Sequence, residues 1–166
     1  MIYEYYIMKY ISHRGNINGK NPEMENSPDY ILETLNKGYD VEVDIWYIDN
    51  KWYFGHDEPK YEIDLDIFKY YFNKLWLHCK NLEALTKLYE YQLSLNYFWH
   101  QDDSFTLTSN NYIWTYPDNK LNNKSICVLP EIPLSNLHNR YTKEDFNNCA
   151  GICSDYIENY KNHINF

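Results

Sequence analysis

The stretch EVDIWYIDNKWYFGHD, residues 42–57, decides which fold this chain is predicted to adopt. Glu42 and Asp44 alternate with valine and isoleucine, a pattern typical of a β-strand because successive side chains of a strand point to opposite faces. The Asp-Asn pair at 49–50 is a turn signal, so the segment predicts a hairpin whose first strand covers residues 39–47. This first strand would carry two carboxylates on one face.

Helices and strands alternate around the hairpin in the first half of the chain. Apolar alternation at residues 6–11 predicts a first strand, and the Ser-Pro pair at 27–28 predicts the start of a helix that ends before Gly38. A further strand at 75–80 and a helix at 82–93 follow. The second half contains short strands with few helices, predicted at residues 95–99, 105–108, 112–116, 125–129 and 151–154.

This alternation predicts an α/β fold with a mainly parallel sheet and helices outside it. We expect a reduced or irregular TIM-type (β/α) barrel in which helices are depleted in the second half, formed by a single domain over residues 1–166. A full barrel of this type takes about 250 residues, which is why the prediction is of a reduced form.

Composition and charge limit the partners that the chain is expected to bind. With 44% hydrophobic residues, the chain should fold. A formal net charge of -9 argues against binding a nucleic acid polymer, because such binding needs a basic face to offset the phosphates, whereas a small phosphorylated substrate remains compatible. We expect no transmembrane segment, since no apolar run approaches the length of a membrane span. The oligomeric state is left open.

The cysteines and the N-terminal residues predict a cytoplasmic protein. The four cysteines show no zinc-type CxxC pairs, so reduced thiols are the expected state. The first residues lack a cleavage-site pattern, so we expect no signal peptide. The cysteines are Cys79, Cys127, Cys149 and Cys153.

The two carboxylates of the hairpin strand predict a metal site. Glu42 and Asp44 are separated by one residue and therefore point to the same side. Burying two like charges without partners is costly, and a hard divalent cation, Mg²⁺ or Ca²⁺, bound by their oxygens would offset that cost. The alternative is a half-exposed strand whose carboxylates are solvated.

Further polar groups follow the ends of the predicted strands. They are His13 with Arg14 after the first strand, His56 with Asp57 after the hairpin, and His78 with Lys80 on the third strand. In a parallel sheet such groups gather at the C-terminal edge, where barrels of this type place their sites. A lone histidine is ordinarily a structural or surface residue, but several at successive strand ends favour a shared site. Asp57 is expected to orient the His56 ring.

The order of these residues resembles the glycerophosphodiester phosphodiesterase family. That family's usual pattern is HRG, ENT, ExD, HD, ExK and a late strand that ends in Asp. The corresponding stretches are HRGN at 13–16, ENS at 25–27, EVD at 42–44, GHD at 55–57, Lys80 and GICSD at 151–155. The likeness covers the first half of the chain in order and spacing, plus the last strand, while residues 85–150 match the family poorly.

The resemblance implies a metal-dependent enzyme that cleaves a small glycerophosphodiester-like phosphodiester inside a TIM-type barrel. The substrate alcohol is not specified by the likeness. The roles it implies are acid–base catalysis for His13 and His56, metal binding for Glu42 and Asp44, and binding of phosphate oxygens for Arg14 and Lys80.

One position departs from the family pattern. His78 stands where the family usually has the glutamate of ExK, so His78 is the expected third metal ligand. Imidazole suits Mg²⁺ and Ca²⁺ less well than carboxylate does. Glu131, in the VLPE stretch, or a water molecule would then supply the missing oxygen ligand.

Aromatic residues in the second half are candidates for a substrate pocket. Trp99 and Trp114, with neighbouring His100 and Tyr116, either line such a pocket or belong to the core. Asp155 follows the last strand and either binds substrate hydroxyls or, as we favour, caps a turn.

The expected mechanism follows from these roles. The cation, Arg14 and Lys80 would stabilise the charge that develops on the phosphate. One histidine would deprotonate the nucleophile, which is water or a neighbouring substrate hydroxyl that gives a cyclic phosphate, and the other would protonate the leaving alkoxide. By analogy with related enzymes, His13 is the expected base and His56 the expected acid.

Two other functions compete with this prediction. A non-catalytic barrel that binds a phosphorylated ligand would keep the cationic groups, and the changed third ligand would have abolished turnover. A purely structural barrel would make this combination of residues a coincidence. Because binding alone does not need two proton-transfer groups, the pair of histidines favours an enzyme.

Overall fold

Ten strands, four α-helices and one 3-10 helix make up the part of the chain that is described by the computed structural model, namely residues 8–91, 95–132 and 141–164. The strands are β1 Lys9–His13, β2 Asp40–Ile48, β3 Lys51–Phe54, β4 Tyr61–Ile63, β5 Leu75–Cys79, β6 Asn96–Phe98, β7 Phe105–Leu107, β8 Ile113–Thr115, β9 Ser125–Val128 and β10 Gly151–Ser154. The helices are α1 Pro28–Asn36, the 3-10 helix Leu65–Lys74, α2 Leu82–Glu90, α3 Lys143–Asn147 and α4 Ile157–Ile164.

The local signals at the first helix are confirmed. Helix α1 begins at Pro28, and Gly38 follows its last turn with a φ of +92°, a conformation that glycine adopts without steric cost. The first predicted strand and the second predicted helix correspond to β1 and α2. Both predictions extend into residues outside the described ranges, at 6–7 and 92–93.

Strand β2 is the centre of the sheet because it pairs with three other strands. Its first half runs parallel to β1, with His13 opposite Glu42. Its second half pairs antiparallel with β3, so the hairpin predicted from the turn at 49–50 is confirmed. Its other edge pairs in parallel with β5, which places Asp44 opposite His78. These registers bring the polar residues of three strands to one end of the sheet.

The sheet is curled so strongly that its ends approach each other. The strand order is β6-β5-β2-β1-β10-β9-β8-β7, with the β3–β4 hairpin attached to β2. The pairs from β6 to β8 are parallel, whereas β7 and the β3–β4 hairpin pair in antiparallel fashion. Phe98 of β6 and Trp114 of β8 lie with their ring centroids 4.5 Å apart. Since these two strands stand near opposite ends of the order, their contact requires the curvature.

Side-chain hydroxyls connect β6 to β7 and the residues after it. Ser109 accepts a hydrogen bond from the backbone N–H of Tyr97 and donates one to the carbonyl of Leu95. The Ser109 backbone N–H donates to the carbonyl of Tyr97. Thr106 donates to the carbonyl of Trp99. These bonds stand in for a strand ladder between β6 and β7, which is not found among the described residues.

The expected reduced or irregular TIM-type (β/α) barrel is wrong. The strands form a curled mixed sheet, not a ring of strands that alternate with helices. From β6 to β9 the chain links consecutive strands through the segments 99–104, 108–112 and 116–124, with no helix between them. A crossover that includes a helix takes a dozen or more residues, and these links are shorter and rich in Asn, Asp and Pro.

The two faces of the sheet bury different kinds of residue. Val41, Val43 and Ile45 are fully buried in a cluster with apolar residues of α1, α2 and the 3-10 helix. Glu42 and Asp44 lie on the other, concave face and are only 2% and 0% exposed. The alternation predicted for β2 is therefore confirmed, but its carboxylates are buried and not solvated. The concave face also carries a second apolar cluster: Ile11, Trp76, Phe98, Trp114, Ile126, Val128, Leu129, Ala150 and Cys153.

Two expectations drawn from composition concern membranes and cysteines. Within the described ranges, no helix combines the length and the apolar character that crossing a membrane requires. The four cysteines are free thiols, and all are buried. Burial raises the pKa of the Cys79 thiol to about 12, so this thiol stays protonated and packs as a small apolar group.

Replacement of Gly55 tests how tightly the segment before His56 is held. In Gly55→Ala, the new Cβ would overlap the carbonyl oxygen of Glu58, and the φ of +148° already disfavours a side chain. Gly38→Ala is the matched control, because its φ is also positive but the new Cβ meets no described atom within 4 Å. We expect urea denaturation to show a loss of about 1 kcal/mol for Gly38→Ala and about 3 kcal/mol for Gly55→Ala. Equal losses would contradict the tight packing at Gly55.

Candidate functional site

A pocket of about 380 Å³ opens at the C-terminal ends of β1, β2 and β5. Asp44 is fully buried below it and lies within 4 Å of four of the side chains in the wall. The structure therefore brings together the residues that the sequence predicts to share a site at these strand ends, except Asp57. Those in the wall of the pocket are His13, Arg14, Glu42, His56, His78 and Lys80.

Asp44 is held by Asn26 in two ways. Asn26 Nδ2 donates to Asp44 Oδ2 at 3.0 Å, and the backbone N–H of Asp44 donates to Asn26 Oδ1 at 3.0 Å. Asn26 adopts a φ of +62°, which asparagine tolerates better than most residues. The loop after β1 is thereby tied to the centre of β2.

Asp44 is a buried anion surrounded by cationic groups. Arg14 Nε lies 3.1 Å from Oδ2, and His56 Nδ1 lies 3.1 Å from the same oxygen. His78 Nδ1 and Lys80 Nζ lie 3.0 Å and 3.4 Å from Oδ1. Burial alone raises the pKa of this carboxyl, but the hydrogen bonds from His56 and His78 outweigh burial and hold the pKa well below its usual range. Asp44 therefore remains ionised.

Glu42 is buried with much weaker compensation. The cationic groups within 4 Å are His78 Nδ1, at 3.7 Å from Oε1, and His13 Nε2, at 3.8 Å from Oε2. Among the described residues, Oε2 finds no hydrogen-bond partner. Asp44 Oδ1 likewise lacks a hydrogen-bond partner there, but it has two cationic groups within 3.4 Å, so Glu42 is the carboxylate of this site with the weaker charge compensation.

Glu42, Asp44 and His78 fit a divalent metal ion. One ligand atom from each residue lies within 4.8 Å of the other two. His78 Nε2 donates to the carbonyl oxygen of His100 at 2.9 Å, and its ring stacks on Phe98 with centroids 5.2 Å apart. This outer hydrogen bond leaves Nδ1 facing the carboxylates, an arrangement typical of metal-ligating histidines.

A proton on His78 supplies positive charge when no metal ion is bound. Burial alone lowers the pKa of His78, but hydrogen bonds to Asp44 and Glu42 outweigh burial and raise the pKa to about 9. A metal ion coordinated by Nδ1 has to displace that proton. Metal binding and protonation of His78 therefore compete.

His13 is oriented by Asp155, which the sequence favoured as a turn residue. His13 Nδ1 lies 2.8 Å from Asp155 Oδ1, and Asn16 Nδ2 donates to the same oxygen at 2.8 Å. Because a carboxylate only accepts, Nδ1 carries a proton, and Nε2 of the neutral ring presents its lone pair on the Glu42 side. Burial lowers the pKa of His13, but the hydrogen bond to Asp155 and the charge of Glu42 outweigh burial and raise the pKa above its ordinary value.

His56 lies between a donor and an acceptor. Its Nδ1 lies 2.7 Å from Arg14 Nη2, which only donates, and 3.1 Å from Asp44 Oδ2, which only accepts, so its contacts are compatible with either neutral tautomer. Asp57 was expected to orient this ring, but its side chain is 94% exposed and its carboxylate is 3.7 Å from Nε2. Asp44, at 3.1 Å from Nδ1, occupies the orienting position instead.

Arg14 adopts a backbone conformation that is uncommon for a long side chain. Its φ is +53°, in the left-handed region. The Arg14 N–H donates to the carbonyl of Glu42 at 2.9 Å, and the Arg14 carbonyl accepts from Asn26 N–H at 3.1 Å. These two bonds hold the conformation and aim the guanidinium at Asp44, His56 and the pocket.

The three other residues predicted for the site, Glu131, Trp99 and Trp114, do not lie together in the structure. Glu131 Oε1 accepts from the Ser154 hydroxyl and from the Asp155 backbone N–H, both at 2.9 Å. Glu131 therefore holds the end of β10 and stands outside the cluster of Glu42, Asp44 and His78. Trp114 lines the pocket, whereas Trp99 packs against the apolar cluster on the convex face.

Sequence reasoning assigned no role to Asn16, Glu25 or Asn26. Glu25 accepts from Asn16 Nδ2 at 2.8 Å and from Arg14 Nη1 at 3.3 Å. Because Asn16 also contacts Asp155 and Arg14 also contacts Asp44, Glu25 connects these two carboxylates through their partners. All three residues fall inside the HRGN and ENS stretches that carried the resemblance. Their place inside these stretches is the signal that would have identified them.

The pH dependence of stability tests the charge on His78. Because folding raises its pKa from 6.5 to about 9, the stabilisation is complete below pH 6.5 and is lost as the pH rises through about 9. In EDTA, we expect the free energy of unfolding of the native protein, relative to His78→Gln, to fall by on the order of 3 kcal/mol over this range. Urea denaturation at pH 6, 7.5 and 9 measures it. A difference that is constant with pH would contradict a charged His78.

Comparisons of this chain with protein-family models, with curated proteins and with solved structures found no match. The likeness to glycerophosphodiester phosphodiesterases therefore stays a prediction from the residues quoted above. The geometry of the pocket is the basis of the function proposed next.

Proposed function

We propose that the protein is a metal-dependent phosphodiesterase that hydrolyses a small glycerophosphodiester-like phosphodiester by acid–base catalysis. The observation that supports it is a pair of imidazoles, His13 and His56, in the wall of one pocket, each beside a buried carboxylate. One would accept a proton and the other would supply one. A site that only binds phosphate needs neither.

Glu42, Asp44 and His78 would hold the metal ion, for which we propose Mg²⁺ or Ca²⁺. When bound, the ion supplies positive charge to the phosphate oxygens. The unpartnered Oε2 of Glu42 supports this assignment, because it leaves a buried negative charge to be neutralised. His78 gives up its Nδ1 proton as it takes the role of ligand.

Arg14 and Lys80 would bind the phosphate oxygens. Arg14 Nε and Nη1 face Asp44 and Glu25, and Nη2 lies 2.7 Å from His56 Nδ1, so one N–H of Nη2 is left for a ligand. Lys80 Nζ lies 3.4 Å from both Asp44 Oδ1 and His56 Nδ1, next to the same space. Both cations would stabilise the negative charge of the transition state more strongly than that of the substrate.

His13 would act as the general base. Asp155 fixes the ring and stabilises the imidazolium that forms when Nε2 takes a proton. The nucleophile is water, which gives hydrolysis, or a neighbouring hydroxyl of the substrate, which gives a cyclic phosphate. Analysis of the product by phosphorus NMR separates these two courses.

His56 would act as the general acid. Its ring would donate a proton to the leaving alkoxide. Its side chain is 39% exposed, so the ring can exchange its proton with solvent between turnovers. The acidic net charge of the chain supports a small substrate over a nucleic acid polymer. We further propose a cytoplasmic location, which the four buried thiols support.

Replacement of the histidines tests the acid–base assignment with two substrates. On bis(4-nitrophenyl) phosphate with Mg²⁺, Ca²⁺ or Mn²⁺, we expect His13→Ala to lower kcat by about 10²–10⁴-fold. His56→Ala should lower it much less, because 4-nitrophenolate leaves without a proton. On a dialkyl phosphodiester, both variants should lose about 10²–10⁴-fold, since an alkoxide needs an acid. His163→Ala, on the exposed side of α4, is the control.

The same assay separates the alternatives. Native rates in both histidine variants would refute the acid–base assignment. If instead His13→Ala impaired only the dialkyl phosphodiester and His56→Ala impaired both substrates, His13 would be the acid and His56 the base. Phosphate binding without turnover of either substrate by the native protein would leave the non-catalytic phospho-ligand-binding module as the function.

Metal removal and replacement of the ligands test the cation site. EDTA should abolish turnover, and Mg²⁺ or Ca²⁺ should restore it. By calorimetry, Glu42→Gln should weaken metal binding by about tenfold or more, whereas His78→Glu should strengthen Mg²⁺ binding because carboxylate suits a hard ion better. Glu131→Gln is the control outside the cluster. If Glu42→Gln left the metal affinity unchanged, Glu42 would not be a ligand and the proposed metal site would be refuted.

A further inference from the structure

The pocket has a second wall that the proposed chemistry does not use. His100, Trp114 and Tyr116 form it together with Val128 and Leu129. The rings of His100 and Tyr116 lie with centroids 5.2 Å apart at an interplanar angle of 41°. The wall combines aromatic and aliphatic surface and adjoins the charged cluster through His100, so it is placed to contact the part of a substrate that lies beyond the phosphate.

His100 has hydrogen-bonding capacity that nothing in the described part of the chain meets. Both ring nitrogens are buried, and neither has a hydrogen-bond partner there. A neutral imidazole has one donor and one acceptor, so both are unsatisfied in the absence of a ligand. The backbone carbonyl of His100 accepts from His78, which holds the backbone at this position. A ring with two unmet nitrogens in the lining of the pocket is suited to bind a ligand group.

We propose that His100 is a specificity-determining residue that hydrogen-bonds a hydroxyl of a sugar-like ring in the substrate alcohol. The inference rests on the proposed function, because it takes the phosphate to lie at Arg14 and Lys80. A hydroxyl both donates and accepts, so it satisfies either nitrogen of the imidazole. Trp114 and Tyr116 contact the carbon face of the ring, which is the apolar part of a sugar.

The size of the pocket and the cost of unmet groups favour this class of alcohol over a simple alkyl chain. A volume of about 380 Å³ is within the range of roughly 300–1,000 Å³ of sites that enclose small-molecule ligands, and it exceeds what a phosphate group fills. An alkyl group would leave both nitrogens of His100 unpaired. Sites built to bind a hydroxyl reject analogues that lack it for this reason.

Calorimetric titration of the Mg²⁺-loaded protein with two phosphate monoesters tests the inference. Glucose 6-phosphate and cyclohexylmethyl phosphate both carry a six-membered ring on a CH₂–O–phosphate group, but only the first has ring hydroxyls. We expect the native protein to bind glucose 6-phosphate more tightly by about tenfold. His100→Phe should abolish this preference, because phenylalanine keeps the contact with Tyr116 and lacks the nitrogens. His163→Phe is the matched control and should keep the preference.

Two readouts distinguish recognition from a structural role. The Mg²⁺ affinity of His100→Phe should equal that of the native protein, because the backbone carbonyl still accepts from His78 and phenylalanine keeps an aromatic ring beside His78, whose centroid lies 6.2 Å from that of His100. His100→Asn should recover part of the preference, because its amide donates and accepts. Equal affinity of the native protein for the two monoesters would overturn the inference, as would an unchanged preference in His100→Phe.

Hydrolysis of the methyl diesters of the same two monoesters tests the proposed function separately. If the metal-loaded protein cleaves neither diester but prefers glucose 6-phosphate in binding, the phosphodiesterase proposal fails and the recognition by His100 stands. If it cleaves both with equal kcat/KM, the phosphodiesterase proposal stands and the role of His100 is refuted. We expect a kcat/KM about tenfold higher for the sugar diester, and loss of this difference in His100→Phe.

Discussion

The site depends on keeping two carboxylates charged inside a sheet that excludes water. An ionised carboxylate in such a position is tolerated only with partners, and truncation of one partner leaves an uncompensated charge. Asp44 meets this requirement within the protein, through Asn26, Arg14 and two histidines. Glu42 meets it less fully, since its nearest cationic groups lie 3.7 Å and 3.8 Å away. This difference between the two neighbours is the basis of the cation site that we propose.

The central position of β2 explains how a small chain retains an ordered site. The candidate metal ligands lie on β2 and β5, and His13 and Asp155 lie at the ends of β1 and β10, so the groups come from adjacent parallel strands. Each has its register set by a ladder with its neighbour. The short strands at the far end contribute the aromatic wall and no candidate metal ligand within the described residues. Loss of helices there leaves the geometry of the charged groups intact.

Local features of this chain were predictable and long-range ones were not. The alternation in β2, the turn at 49–50 and the start of α1 follow from side-chain periodicity and backbone preferences. Those signals, with the order of the strands, were enough to place His13, Glu42, Asp44 and His56 together. The barrel prediction failed because the strands form a curled mixed sheet, in which β7 pairs antiparallel with β8 and no ladder joins β6 to β7 among the described residues. The partnership of His13 with Asp155 spans nearly the whole chain, and only tertiary packing reveals it.

The hydroxyls at the end of the curled sheet have a consequence for solubility. A terminal strand ordinarily presents a row of unpaired N–H and C=O groups that can template a strand from another molecule, which is a route to aggregation. In β6 and the residues beside it, Ser109 and Thr106 occupy the backbone groups of Leu95, Tyr97 and Trp99 that would form such a row. In a closed barrel, the first and last strands protect their backbone groups by pairing with each other. In this open sheet, the side chains of Ser109 and Thr106 protect those groups instead.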